Sequence, residues 1–214
     1  MVRVNLFSIA TDQEHQALLH EVGVYNLETS HRVEPGTLAM FVAERKEQPG
    51  SYVVCEVYQD SDHYEIHRAS EQFMRYSQEA GPYLTERRAI PVEPIFLREK
   101  LPSEIWIGAG HLELKFAQVE VTEAGASAFE KSVLKNMKTS LQEEEGVLAM
   151  YAVKDREQPQ VWYFFEVYAS PEAYQAHRQT EHFQTYLAET QDLVVDKQLI
   201  DLINDASMSQ GKLK

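Results

Sequence analysis

The sequence predicts an α+β protein made of two tandem copies of one domain of roughly 100 residues, and three observations predict it. Sliding the chain by about 110 residues lays Asn26 to Tyr76 over Asn136 to Tyr186 without a gap, with roughly two in five positions identical. Each copy alternates apolar and polar residues with period two, then with helical spacing, in the order strand, helix, strand, strand, helix, strand. The punctuation also recurs: Glu34-Pro35-Gly36 matches Glu144-Glu145-Gly146, and Gln48-Pro49 matches Gln158-Pro159.

Val2 to Ile9 and His111 to Val121 alternate as half-buried strands. Thr11 or Asp12 can cap a helix running to about Ser30, with Leu18, Leu19, Val22 and Tyr25 at helical spacing. The second copy repeats this helix from about Glu123 to Gln142. Gly36 and Gly146 end the turns into second strands, Thr37 to Glu44 and Val147 to Lys154. Third strands rich in aromatic and β-branched residues, Ser51 to Tyr58 and Val161 to Tyr168, follow the proline-containing hairpin turns. Asp60 to Asp62 and Ser170-Pro171-Glu172 start a second helix in each copy. Final strands are expected around Glu93 to Arg98 and Val194 to Leu202. This is the order of a split βαβ unit, so the expectation is two tandem ferredoxin-like βαββαβ domains. Each such sheet has a bare face, which predicts sheet packed on sheet as an intramolecular α+β barrel. The expected limits are 1–100 for copy one, 101–110 for a proline-stiffened linker, 111–205 for copy two, and 206–214 for a frayed tail.

Charge and composition narrow the function. A formal net charge of −14 with no basic stripe argues against nucleic acid or an anionic membrane as partner. No apolar run approaches the roughly 20 residues that span a bilayer. The lone Cys55 forms no intrachain disulfide, and Met1 leads straight into an alternating strand, which together predict a cytoplasmic location. No glycine-rich phosphate loop follows a strand and no Gly-x-Ser-x-Gly occurs, so neither a dinucleotide cofactor nor nucleophilic hydrolysis is expected. His63 and His67 are four apart, but copy two has Ala173 in place of His63, and His177 and His182 diverge around a helix. No metal and no cofactor are expected.

The candidate residues recur in pairs. His67 and His177 share a helix face with Tyr64 and Glu71, or Tyr174 and Glu181, where an imidazole beside a carboxylate can act as a base. A structural histidine at the helix–sheet interface fits the same pattern. Asn26 and Asn136 lie late in the first helix, where asparagine is a poor helix former and can hold a substrate oxygen, or bond locally. Glu56 and Glu166 sit among apolar strand neighbours, where an ion pair, for instance to Arg68 or His67, is the expected arrangement. Tyr76 and Tyr186 can close a pocket. Tyr52, Trp162, Met40 and Met150 are candidate walls, and His182, replaced by Gln72 in copy one, is a candidate contact.

The string Asn136-x-x-x-Ser140, Glu145-Gly146, Tyr151, Phe165-Glu166-x-Tyr168 and Tyr174-x-x-His177-x-x-Thr180-x-His182-Phe183 resembles the antibiotic biosynthesis monooxygenase superfamily. The resemblance spans nearly all of both copies and is strongest from Asn136 to Tyr186. It implies small dimeric α+β barrel proteins, among them cofactor-independent oxygenases of quinols and aromatic polyketides, haem-degrading enzymes, and an isomerase of the phosphorylated autoinducer-2 signal. The Asn-x-x-x-Ser plus Glu-Gly version is similar to that last branch. Here both halves come from one chain, as a fused pair that acts as a monomer or pairs again. The expected function is oxygenation of a small electron-rich aromatic such as a quinol, with molecular oxygen as co-substrate, His67 and His177 as bases and Asn26 and Asn136 as oxygen-orienting groups. An isomerase of a small carbonyl metabolite and a non-catalytic binding or stress-response module are the alternatives.

Overall fold

A computed structural model describes residues 1–108 and 110–214. Of the expected linker 101–110, position 109 lies outside the described residues. The elements in order are β1 (Arg3–Thr11), α1 (Gln16–Val33), β2 (Thr37–Arg45), β3 (Ser51–Tyr58), α2 (Ser61–Arg68), α3 (Glu71–Glu79), β4 (Leu84–Ile90), β5 (Val92–Glu99), β6 (Ser103–Ile107), β7 (Glu113–Val121), α4 (Ala126–Glu143), β8 (Val147–Asp155), β9 (Val161–Tyr168), α5 (Pro171–His177), α6 (Glu181–Thr190) and β10 (Val194–Gln210). Two ferredoxin-like α+β halves result, as the alternating patterns require. Among the described residues no helix is long and apolar enough to cross a membrane.

The chain divides into two compact units whose limits are not those of the repeat. In the first unit the strand order is β4-β1-β3-β2, the split βαβ order, and the stretch of β10 from Asp201 onward lies beside β2. Its pairing runs from Leu202 opposite Arg45 to Ser209 opposite Ala39, and β6 pairs with the same stretch. In the second unit β10 up to Ile200 comes first, then β7, β9, β8 and finally β5. The strand expected to end copy one, Glu93 to Arg98, is therefore β5 and belongs to the second unit. The strand that completes copy one is β4, which pairs with β1 from Leu6 opposite Ile90 to Thr11 opposite Leu84.

The final segment departs furthest from expectation. Residues 206–214 are not frayed: Met208, Ser207 and Ser209 are wholly buried, and Ala206 and Met208 pack with Leu27 and Met40. The expected linker carries β6 and the buried Leu101. The missed β4 and the misread tail have separate reasons. An alternation test sees no apolar face in Leu-Thr-Glu-Arg-Arg-Ala-Ile of β4, whose inner five residues are exposed. A test keyed to large apolar groups also passes over the small buried residues at the end of β10.

The second helix of each copy is two helices. Ser70 Oγ accepts the amide of Phe73 to open α3 and donates to the carbonyl of His67 to close α2. Thr180 does the same between His177 and Phe183. The break leaves His67 in the last turn of α2 and His177 as the last residue of α5. Below this helix layer, the second-unit core is aromatic: the rings of Phe129 and Trp162 meet edge to face at 5.4 Å, and Trp162 stacks on Phe164 at 6.0 Å.

The turns into β2 and β8 leave no room for a side chain. A Cβ on Gly36 would lie 1.8 Å from the His63 ring, and one on Gly146 would lie 2.5 Å from Cβ of Ala173. Gly146→Ala must push α5 off this turn, an overpacking expected to cost about 1–3 kcal/mol in urea unfolding. An unchanged midpoint would show that the start of α5 moves freely.

Candidate active site

Each unit has a cavity between its helices and its sheet, and equivalent positions 110 residues apart line both. Asn26, Glu56, Tyr76 and Arg87 line the first. Asn136, Glu166, Tyr186 and Lys197 line the second. The asparagines get there because α1 and α4 each bury one stripe, Leu19, Val22, Asn26, Leu27 and Ser30 in the first unit and Phe129, Ser132, Val133, Asn136, Met137 and Ser140 in the second. In both copies the asparagine Oδ1 is buried and has no hydrogen-bond partner among the described residues. A buried amide oxygen without a partner costs about 1–3 kcal/mol. The same cost borne twice, at one cavity wall, marks a place where a ligand donor belongs.

Glu34 and Glu144 are the residues that close α1 and α4, and a carboxylate at the negative end of a helix is unfavourable unless donors meet it. In the first unit His67 Nδ1 donates to Glu34 Oε2 at 2.9 Å, Thr37 Oγ1 to the same oxygen at 2.7 Å, and Gln72 Nε2 to Oε1 at 2.5 Å. In the second, His177 Nδ1 donates to Glu144 Oε1 at 2.9 Å and His182 Nε2 to the same oxygen at 2.7 Å. The histidine–carboxylate pair anticipated from the sequence is thus present with a different carboxylate: Glu34 and Glu144 rather than Glu71 and Glu181. Because an ionised carboxylate only accepts, Nδ1 of His67 and of His177 carries the proton, and in the neutral ring Nε2 keeps its lone pair.

The two histidines differ in access. His177 lines the second cavity. His67 does not line the first; it is fully buried, between the rings of Tyr58 and Phe73, and its Nε2 has no partner. Tyr76, Tyr186 and Met40 stand in cavity walls. Tyr52 lies instead in an apolar cluster with Ile9, Leu19 and Val54, Trp162 is wholly buried in its aromatic stack, and Met150 is wholly buried in the same core. His182 reaches an open polar groove between α4 and α6.

Among the described residues Glu56 is not in the ion pair expected of it. Tyr58 Oη donates to Glu56 at 3.0 Å and Asn5 Nδ2 at 3.3 Å, while Arg68 pairs with Glu65. Tyr168 Oη donates to Glu166 at 2.7 Å. Burial, then the neighbouring Glu56, pushes the Tyr76 hydroxyl up to about 12, and burial with Glu166 pushes Tyr186 up as well. Both remain protonated donors at neutral pH.

Glu144, His177 and His182 have ligand atoms within 4.8 Å of one another, a spacing that can hold a metal ion. In the first unit, however, Gln72 takes the place of His182 and also donates to the equivalent carboxylate, Glu34. The exchange of imidazole for amide keeps a hydrogen-bond donor and discards a metal ligand, so the shared role is to hold the carboxylate. His63, the other histidine weighed for a chelating pair, bonds Asp60 at 2.6 Å.

Burial pushes the Glu144 carboxyl up, but the hydrogen bond and charge of His177, with bonds from His182 and Ser140, outweigh it and hold the group below its ordinary 4.5. Its contribution to stability is therefore present above about pH 4.5 and is lost as pH falls through the lower folded value. Glu144→Gln is expected to lower the urea midpoint at pH 7 and to flatten the loss of stability below pH 4.5. An acid limb as steep as that of the native chain would remove Glu144 as its source.

Sequence reading missed Glu34 and Glu144, and also Arg87 and Lys197. The signal was available. Glu34 and Glu144 sit in the quoted repeat, and the 110-residue offset that pairs the histidines also pairs Arg87 with Lys197.

Compared with known proteins, the chain matches a family model described as "Antibiotic biosynthesis monooxygenase" over residues 1–79 and 115–189. Among solved structures, a "putative monooxygenase" from Lactobacillus acidophilus NCFM aligns over 98% of this chain and 97% of its own, with a TM-score of 0.91 at 23% identity. A protein of the same description from Fusobacterium nucleatum subsp. nucleatum ATCC 25586 aligns over 98% and 94%, with a TM-score of 0.88 at 18% identity. An anthrone oxidase-like protein aligns over 100% and 98%, with a TM-score of 0.59 at 16% identity. At such identities the likeness is one of fold. No curated protein matches the chain.

Proposed function

Because the chain belongs to the antibiotic biosynthesis monooxygenase family, we propose that it is a cofactor-independent monooxygenase of a small electron-rich aromatic such as a quinol, and that the second unit carries the reaction. One observation supports this most. His177, its Nδ1 fixed by Glu144, and the unpartnered Asn136 carbonyl line the same largely apolar cavity. His177 Nε2 takes a proton from a ring hydroxyl. The resulting anion passes one electron to oxygen, and the radical pair combines at a ring carbon to give a hydroperoxide. Loss of water then leaves a hydroxylated quinone. One oxygen atom enters the ring and the other leaves as water, all four electrons coming from the substrate, so no external reductant is consumed. Asn136 Oδ1 accepts from a substrate hydroxyl and fixes the ring, and the apolar wall keeps bulk water from the anion.

The test is oxygen consumption by the chelator-treated protein with a panel of hydroquinones. Uptake matched one to one by hydroxyquinone is the expected result. No uptake with any member, or turnover of a small carbonyl compound at the same rate without oxygen, would sink the oxygenase reading.

A further inference from the structure

The two cavities are built from equivalent positions, yet they differ in size and charge. The second holds about 200 Å³ of free space and the first about 70 Å³. A dry cavity of about 150 Å³ is what benzene occupies in a protein core. The second therefore takes a single aromatic ring, and the first does not. The walls differ on paired strands: Phe7 of β1 faces the first cavity where Ala117 of β7 faces the second, and Val54 of β3 lines the first where Phe164 of β9 lines the second.

Charge separates them too. The ionic side chains lining the first cavity are Glu56 and Arg87, which sum to zero. Those lining the second are Glu166, Arg178 and Lys197, which sum to plus one. Arg68, equivalent to Arg178, does not line the first cavity and pairs instead with Glu65. In a chain of net charge −14, a wall with surplus positive charge is a specific feature. Glu166 already accepts from Tyr168, while Lys197 is exposed and among the described residues is in no ion pair.

We propose that the second cavity alone binds the substrate, and that this substrate is a single-ring hydroxyaromatic bearing an acid group, its hydroxyl bonded to Asn136 and its acid group to Lys197 and Arg178. This rests on the reading of that cavity as the oxygenase site. The first cavity, too small for a ring and without a histidine in its wall, is a vestige of the duplication. One ligand per chain is the consequence.

The experiment is calorimetric titration of the full chain under argon, where no oxygen is present to turn over, with 2,5-dihydroxybenzoate and with hydroquinone as probes. The expected result is one site per chain, with the acid bound more tightly than hydroquinone. Lys197→Gln, at an exposed position where folding is not at stake, is expected to weaken the acid about three- to tenfold and to change hydroquinone less than twofold. Phe7→Ala is expected to raise the stoichiometry towards two. Two sites in the native chain, equal affinity for the two probes, an unmoved Lys197→Gln, or no binding of either probe would each overturn the inference. Two sites together with quinol-dependent oxygen uptake would overturn it and leave the oxygenase reading standing. One acid-selective site without any uptake would do the reverse.

Discussion

Replacing His177 by alanine lowers kcat/KM for quinol oxidation by about a hundredfold or more, the size of effect expected when a positioned base is removed. In free energy this is at least about 2.7 kcal/mol of lost transition-state stabilisation. The expectation depends on where the ring stands: His177 lines the cavity, its Nδ1 is held by Glu144, and Nε2 is the nitrogen left to take a proton. His67 has the same bond to Glu34 and no place in a cavity wall, so His67→Ala is expected to change activity less than threefold and to lower stability instead. Steady-state oxygen uptake on both variants, beside their urea midpoints, separates the roles. A loss below about tenfold for His177→Ala would remove it as the base. Equal losses for the two variants would mean that the pair acts through folding alone.

How much of this was legible in the sequence divides along a physical line. The duplication, the element types and the placement of Asn26, Asn136, His67 and His177 in helices follow from periodicity, because burial of one face writes a pattern into the chain; which helix face meets a cavity does not. The asparagines were legible as misplaced residues: poor helix formers at the positions where α1 and α4 bury their stripes. Their missing partners were not, since an unsatisfied oxygen is a property of surroundings drawn from many elements distant in the chain. The partner of His177 was also hidden. Glu181 stands at helical spacing from it, but Thr180 ends one helix and starts another, and Glu181 is left exposed at the start of the second. Trp162 and Tyr52 are candidate walls by sequence because strand aromatics can be either wall or core, and period two says only which face they are on. The difference between His67 and His177 is of the same kind. Their local sequences match, and what separates them is whether space remains beside the ring.

Truncation after Ile200 is expected to unfold the first unit, although a chain whose last residues merely frayed would lose nothing. The residues removed include Leu202, Ala206 and Met208, all buried in the first unit, with Met208 packed against Leu27 and Met40. Burial of each large side chain is worth about 1.5–3 kcal/mol. The loss goes beyond packing. From Ala39 to Arg45, β2 loses its partner on the side away from β3, and β6 loses the strand it pairs with, leaving backbone groups to find water. The bond from Asn204 Nδ2 to the Trp106 carbonyl goes as well. Set against a domain stability of about 5–15 kcal/mol, these losses leave the first unit unfolded or nearly so. Hydrogen exchange reads the outcome strand by strand. Amides of Thr37–Arg45 that are slow in the native chain become fast in the truncated one, and Met208→Ala gives a graded version, a loss of about 2–5 kcal/mol in the same amides. Native-like protection of β2 after truncation would mean that β2 is held without β10, and that the end of the chain is dispensable to the first unit.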